Sequence, residues 1–66
     1  MTVTVNHKEV FLDDSANLVD LLAVMNMPDK GIALAVNNAV IPKGKWDSFT
    51  LEESMKITLI KATQGG

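Results

Sequence analysis

Few groups in this 66-residue sequence are of a type that could do chemistry. There is no cysteine, so disulfides, thiolate nucleophiles and thiolate metal ligands are excluded. His7 is the only histidine. Without a second histidine or a cysteine it does not suggest a zinc site, so no metal is expected. It falls in a polar break between two strand-like runs and reads as a solvated turn residue. Ser15, Ser48 and Ser54 have no base partner except His7, and a serine triad needs three groups in register. Asp13-Asp14 and Glu52-Glu53 are sequence neighbours, which diverge on a turn or strand and read as solvated loop charges. Gly31 and Gly44 are isolated, with nothing resembling a phosphate-cradling loop. Trp46 reads as the closing residue of a small core rather than a ligand platform.

What remains is the end of the chain, Ala62-Thr63-Gln64-Gly65-Gly66. At an ordinary glycine frequency, two terminal glycines arise by chance in roughly one sequence in two hundred. Glycine has no Cβ, so a Gly-Gly end can thread a channel that other residues would block. Five extended residues reach about 16 Å, enough to enter another protein's active site while the folded part stays outside. A C-terminal carboxylate is ionised near neutral pH and is a poor electrophile. Activation as a mixed anhydride with AMP would cure this, and a sulfur or nitrogen nucleophile could then take the acyl group. The expected role is that of a carrier, not an enzyme: Gly66 would be worked on by others, with no catalytic group of the chain's own.

Size and charge agree with this. A domain of 66 residues has room for one core and no deep cleft between lobes. Apolar residues make up 47%, which argues against disorder. The longest apolar stretches, such as Leu21 to Met25, are too short to cross a bilayer, and the N-terminus lacks the pattern of a secretory signal. A cytoplasmic protein without membrane contact is expected. Net charge is -2, and arginine is absent. The six lysines are scattered apart from Lys43 and Lys45, so the basic stripe of a nucleic-acid binder is missing.

The elements that must position the tail are legible. Thr2–Val5 is a β-branched strand with valines on alternate positions. Glu9–Leu12 follows as the second arm of a hairpin. Asn17 with Asp20 resembles a capping box, and Leu18, Leu21, Leu22 and Met25 form one apolar helical stripe that must end before Pro28. Ile32–Val36 is a third strand, Asn37-Asn38 a turn, and Val40-Ile41 a short fourth strand stopped by Pro42. Residues 42 to 50 read as irregular, and Lys56–Lys61 is the last strand. One helix with one apolar face must cover one face of a mixed sheet. The fold class is therefore α+β, a β-grasp (ubiquitin-like) sheet of four to five strands, with first and last strands parallel at its centre. Residues 1–61 form the domain and 62–66 a flexible tail. Val3, Val5, Val10, Leu12, Leu34, Val36, Ile57 and Leu59 should face the helix. Thr2, Thr4, Phe11, Ala33, Ala35, Thr58 and Ile60 should face away.

The β-grasp order, the stretch Ala35-Val36-Asn37 followed by Val40-Ile41-Pro42 and Trp46, and the Gly65-Gly66 end together resemble the ThiS family, ubiquitin-like sulfur carriers of thiamin biosynthesis. The resemblance runs over the whole chain, and the Asn-to-Pro-to-Trp spacing is its most specific part. One departure is visible: Ser54-Met55 stands where the family often has a Gly-Asp turn before the last strand. The resemblance implies a cycle. A ThiF-like adenylating enzyme would use MgATP to form an acyl-adenylate on Gly66. A sulfur relay from cysteine would convert it to a thiocarboxylate, and a ThiG-like thiazole synthase would receive the sulfur. Gly66 is then the modified residue, and Gly65, Gln64, Thr63 and Ala62 are the tail that enters partner active sites.

Strand parity adds an expectation of its own. Phe11 and Ile60 should both project from the face away from the helix, and exposed apolar residues there form a possible docking face. Three other readings stay open: the small subunit of molybdopterin synthase, whose relatives tend to be longer; a protein modifier that forms isopeptide bonds; and a plain β-grasp interaction module with an incidental tail.

Overall fold

The structure is a computed structural model that describes residues 1–61. The expected tail, residues 62–66, lies outside the described residues. Five strands are present: β1 (Thr2–Val5), β2 (Lys8–Phe11), β3 (Ile32–Val36), β4 (Ala39–Ile41) and β5 (Lys56–Lys61). One α-helix, α1 (Leu18–Val24), and a short 3₁₀ helix (Lys43–Ser48) complete the fold. The sheet order is β2-β1-β5-β3-β4. β1 and β5 pair in parallel at the centre, and every other pairing is antiparallel. This is the expected β-grasp arrangement.

Local sequence explains the turns. Asn6 and His7 have φ of 50° and 72°, and Asn37 and Asn38 have φ of 51° and 71°. Two successive residues in the left-handed region match the right-handed twist of a tight hairpin, and asparagine tolerates that region better than most residues. The tight first turn starts β2 at Lys8, one residue earlier than the sequence pattern suggests, with Val5 opposite Lys8. The second turn likewise sets Val36 opposite Ala39.

Helix α1 is closed at both ends. The Asn17 side chain accepts from the Asp20 N–H at 2.8 Å, and Asp20 accepts from the Asn17 N–H at 3.0 Å. These reciprocal bonds satisfy two of the amide donors that a helix start leaves free. At the other end Asn26 is left-handed, with φ 56°. Its N–H donates to the Ala23 carbonyl, and the Met27 N–H donates to the Leu22 carbonyl. This is a Schellman ending with asparagine in the usual glycine place.

Leu18, Leu21 and Leu22 are buried against Val3, Val5, Leu34, Val36, Ile57 and Leu59. The inward set holds, with Val10 only half-buried because β2 is an edge strand. Ala35 faces outward by register but is buried. Its methyl stands directly between the longer side chains of Val40 and Thr58. Trp46 is a core residue whose indole N–H donates to the Ile41 carbonyl at 2.8 Å. It sits on the 3₁₀ helix, in a segment whose sequence has no helical period. Proline at its start sets the turn, with the Lys45 N–H donating to the Pro42 carbonyl. Leu51 is also buried, and its N–H donates to the Ala16 carbonyl, tying this segment to the start of the helix.

The departure at Ser54 has a structural reading. Ser54 has φ 67°, and its N–H donates to the Thr2 carbonyl at 2.7 Å. The turn is made, but by a residue with a Cβ in the left-handed region. Ser54→Gly is expected to raise the unfolding free energy by about 0.5–1 kcal/mol, read from a urea titration. No gain would mean that no strain is stored at this turn.

Candidate functional site

β5 holds the central place in the sheet and leads directly into residues 62–66. Its neighbours differ. On one side β3 pairs along its whole length, from Val36 opposite Ile57 to Ile32 opposite Lys61. On the other side β1 pairs only at Thr4 with Lys56 and Val5 with Ile57. Ile57 and Leu59 anchor the strand in the core, while Lys56, Thr58 and Ile60 face away from the helix. A chain that follows β5 therefore starts from a strand fixed by burial on one face and by a ladder on one side. Ala62, Thr63, Gln64, Gly65 and Gly66 themselves lie outside the described residues.

The outer face of the sheet carries the apolar residues the sequence singles out, but in a different grouping. Phe11 is 72% exposed and Ile60 is 48% exposed. Both project from the expected face, yet the registers set them far apart. Phe11 lies opposite Thr2, and Thr4 lies opposite Lys56, which sets Phe11 level with the turn before β5. Ile60 is six residues further along, so at about 3.3 Å per residue and about 4.8 Å per strand the two are more than about 20 Å apart. They do not form one patch. The neighbour of Ile60 is Val40, which is 66% exposed. Ile60 is opposite Ala33, and Val40 is opposite Ala35. Two small residues thus lie between two exposed larger ones about 12 Å apart, a shallow apolar surface that runs from Ile60 on β5 across β3 to the edge strand β4. Sequence reading missed Val40, although the two-residue turn at Asn37-Asn38 fixes its parity.

The remaining polar candidates stay apart. His7 is exposed in its turn, and Asp13, Asp14, Glu52 and Glu53 are exposed. The Ser48 hydroxyl donates to the Lys45 carbonyl at 3.2 Å, a local turn contact. Among the described residues no cluster of three or more His, Asp or Glu could hold a metal ion. Nor is any helix there long and apolar enough to cross a membrane.

A β-grasp domain whose central strand leads into a Gly-Gly end is the class of protein that fold and sequence define together. The model of the ThiS family matches residues 1–66, and the chain belongs to that family. Among solved structures it is similar to a crystal structure of the thiamine biosynthesis protein ThiS from Geobacter metallireducens. That match has 23% identity and a TM-score of 0.82 and covers all of both chains. A solution structure of a thiamine biosynthesis protein from the same organism matches at 23% identity and a TM-score of 0.77, covering all of this chain and 88% of that one. At this identity the structural likeness speaks for the fold. No curated protein matches the sequence.

If the outer surface serves something other than folding, truncating it should leave stability nearly intact. Val40→Ser and Ile60→Ser are each expected to change the unfolding free energy by less than about 1 kcal/mol. Leu59→Ala, one position before Ile60 but inward, should cost about 2–5 kcal/mol. Equal losses in a urea titration would assign Val40 and Ile60 to the core instead.

Proposed function

We propose that this chain is a sulfur carrier for the thiazole part of thiamin, with the carboxylate of Gly66 as its working group. The observation that carries the reading is the match of the ThiS family model over all 66 residues, Gly65 and Gly66 included. The chemistry follows from what a carboxylate lacks. A ThiF-like adenylating enzyme holds MgATP, and a carboxylate oxygen of Gly66 attacks the α-phosphorus. A phosphorus–oxygen bond forms there, the bond to the β-phosphate bridge breaks, and pyrophosphate leaves. The acyl carbon is now attached to a good leaving group. A sulfur nucleophile at the sulfide level, drawn from cysteine, attacks that carbon, and AMP departs with the electrons of the carbon–oxygen bond. The product thiocarboxylate gives its sulfur to the substrate held by a ThiG-like thiazole synthase: the acyl carbon–sulfur bond breaks, an oxygen from that substrate or from water takes its place, and the carboxylate is restored. MgATP belongs to the activating enzyme, and the chain acts as substrate and donor rather than catalyst.

Residues 1–61 act as the handle, and Ala62, Thr63, Gln64 and Gly65 as the reach that carries Gly66 into a partner's active site. The docking surface for the adenylating enzyme is the Val40–Ile60 surface, chosen because it lies beside the strand that leads into the tail. Phe11, at the other end of the sheet, is outside this contact.

Two measurements test the reading. ATP–pyrophosphate exchange by the cognate adenylating enzyme should depend on this protein and vanish when Gly65 and Gly66 are deleted. Exchange that survives the deletion would leave the tail without a role. Val40→Ser and Ile60→Ser should each weaken binding to that enzyme about fivefold or more, with Phe11→Ser within about twofold of the parent. A loss at Phe11 as large as at Ile60 would contradict the assignment of the surface.

A further inference from the structure

β1 and β5 run parallel, and their backbone ladder stops where β1 turns into β2. The Thr4 N–H donates to the Met55 carbonyl at 2.9 Å, and the Asn6 N–H donates to the Ile57 carbonyl at 3.0 Å. The next rungs of a parallel ladder would be an acceptor for the Leu59 N–H and, from two residues beyond Asn6, a donor for the Leu59 carbonyl. The backbone cannot supply them in that way. Asn6 and His7 are both left-handed, and Lys8 already runs back, paired with Val5.

The side chain of Asn6 takes both places. Its Oδ1 accepts from the Leu59 N–H at 2.9 Å, and its Nδ2 donates to the Leu59 carbonyl at 3.0 Å. One carboxamide thus stands in for two backbone rungs, bridging residues 53 positions apart. Asparagine meets three demands at once. It has an acceptor and a donor on one planar group, a short reach, and tolerance of left-handed backbone. Aspartate has no donor at neutral pH, and glycine fits the turn but leaves both Leu59 groups without this partner. Leu59 lies two residues before Lys61, so these bonds act on β5 near the point where it leads into residues 62–66.

We propose that Asn6 is a positioning residue for the C-terminal segment: its carboxamide completes the edge of β5 that β1 leaves short, and so sets the line along which the strand delivers Gly66 to a partner's active site. The proposal rests on the carrier reading above. Asn6 touches no reacting atom. It acts by holding a strand that is otherwise laddered on its β3 side only at Leu59 and beyond. A looser strand still docks through Val40 and Ile60, but presents its end in the productive line less often, so turnover falls while binding holds.

Asn6→Gly separates this role from the turn, because glycine accepts the backbone conformation and removes only the carboxamide. Native-state amide exchange at Leu59 should rise about tenfold, with Val5 and Ile57 little changed. The kcat for adenylation by the cognate enzyme with MgATP should fall about tenfold, with KM within about twofold. Asn6→Asp keeps the acceptor for the Leu59 N–H but sets a carboxylate oxygen against the Leu59 carbonyl in place of the donor; it should lower kcat in the same direction with KM held, and it serves if the glycine variant does not fold. Parent-like exchange at Leu59 with parent-like kcat overturns the proposal. So does a uniform rise in exchange with kcat and KM worsening together, which marks a merely structural role. A parent protein that is not adenylated at all overturns the carrier reading and this delivery role with it, whereas an adenylated parent with an unaffected Asn6→Gly overturns this inference alone.

Discussion

The parallel pairing of β1 with β5 is the constraint on which the rest of the molecule depends. Parallel neighbours cannot be joined by a tight turn, so the chain must leave the sheet and return between them. Here it leaves after β2, crosses one face as α1 and re-enters at β3, and the 3₁₀ helix then links β4 to β5. The direct pairing is short, two residue pairs separated by 52 positions in sequence. Closing so long a loop for so few rungs is unfavourable unless burial supplies the energy. Leu18, Leu21 and Leu22 do so by covering Val3, Val5, Ile57 and Leu59 on one face. The consequence for function is positional. The last strand is forced to the centre of the sheet, so whatever follows it leaves from a strand laddered to β3 as far as Lys61 and held on its other side, at Leu59, by the Asn6 carboxamide.

Such an arrangement suits a protein that is handled by others. Among the described residues no group of three or more His, Asp or Glu could hold a metal ion, and no buried residue is polar or charged. The folded part gives shape, a shallow apolar surface at Val40 and Ile60, and a fixed origin for the chain end. A carrier needs those three things and little more. For the proposed carrier small size is no handicap, since the catalytic groups would sit in the partner.

Much of this was legible in the sequence, and the exceptions have common causes. The strands, the helix stripe and the Asn17–Asp20 cap depend on neighbours within a few residues, and the pattern shows them directly. Trp46 reads as core because a lone tryptophan in a small domain closes the core, although the 3₁₀ helix that carries it has no periodic signal. Leu51 is not legible as core, because a single leucine in an irregular segment has no pattern to belong to. Phe11 and Ile60 were placed on the right face, since alternation fixes the face of each strand. Their separation was not legible, because it depends on the registers of two pairings that alternation does not specify. Asn6 read as part of a polar break, and its pairing with Leu59 becomes visible only once β5 lies beside it. The tail residues Ala62 to Gly66 lie outside the described residues, so their role rests on the sequence and the family.

On the proposed function the Gly66 carboxylate becomes a thiocarboxylate. Intact mass spectrometry of the protein isolated from thiamin-starved cells tests it most directly. Replacing one carboxylate oxygen by sulfur adds about 16 Da, and fragmentation should assign the added mass to Gly66. If Gly66 carries the sulfur, this species is present and disappears after turnover with the thiazole synthase. A chain that keeps its unmodified mass, even after incubation with ATP, a sulfur donor and its cognate adenylating enzyme, would contradict it.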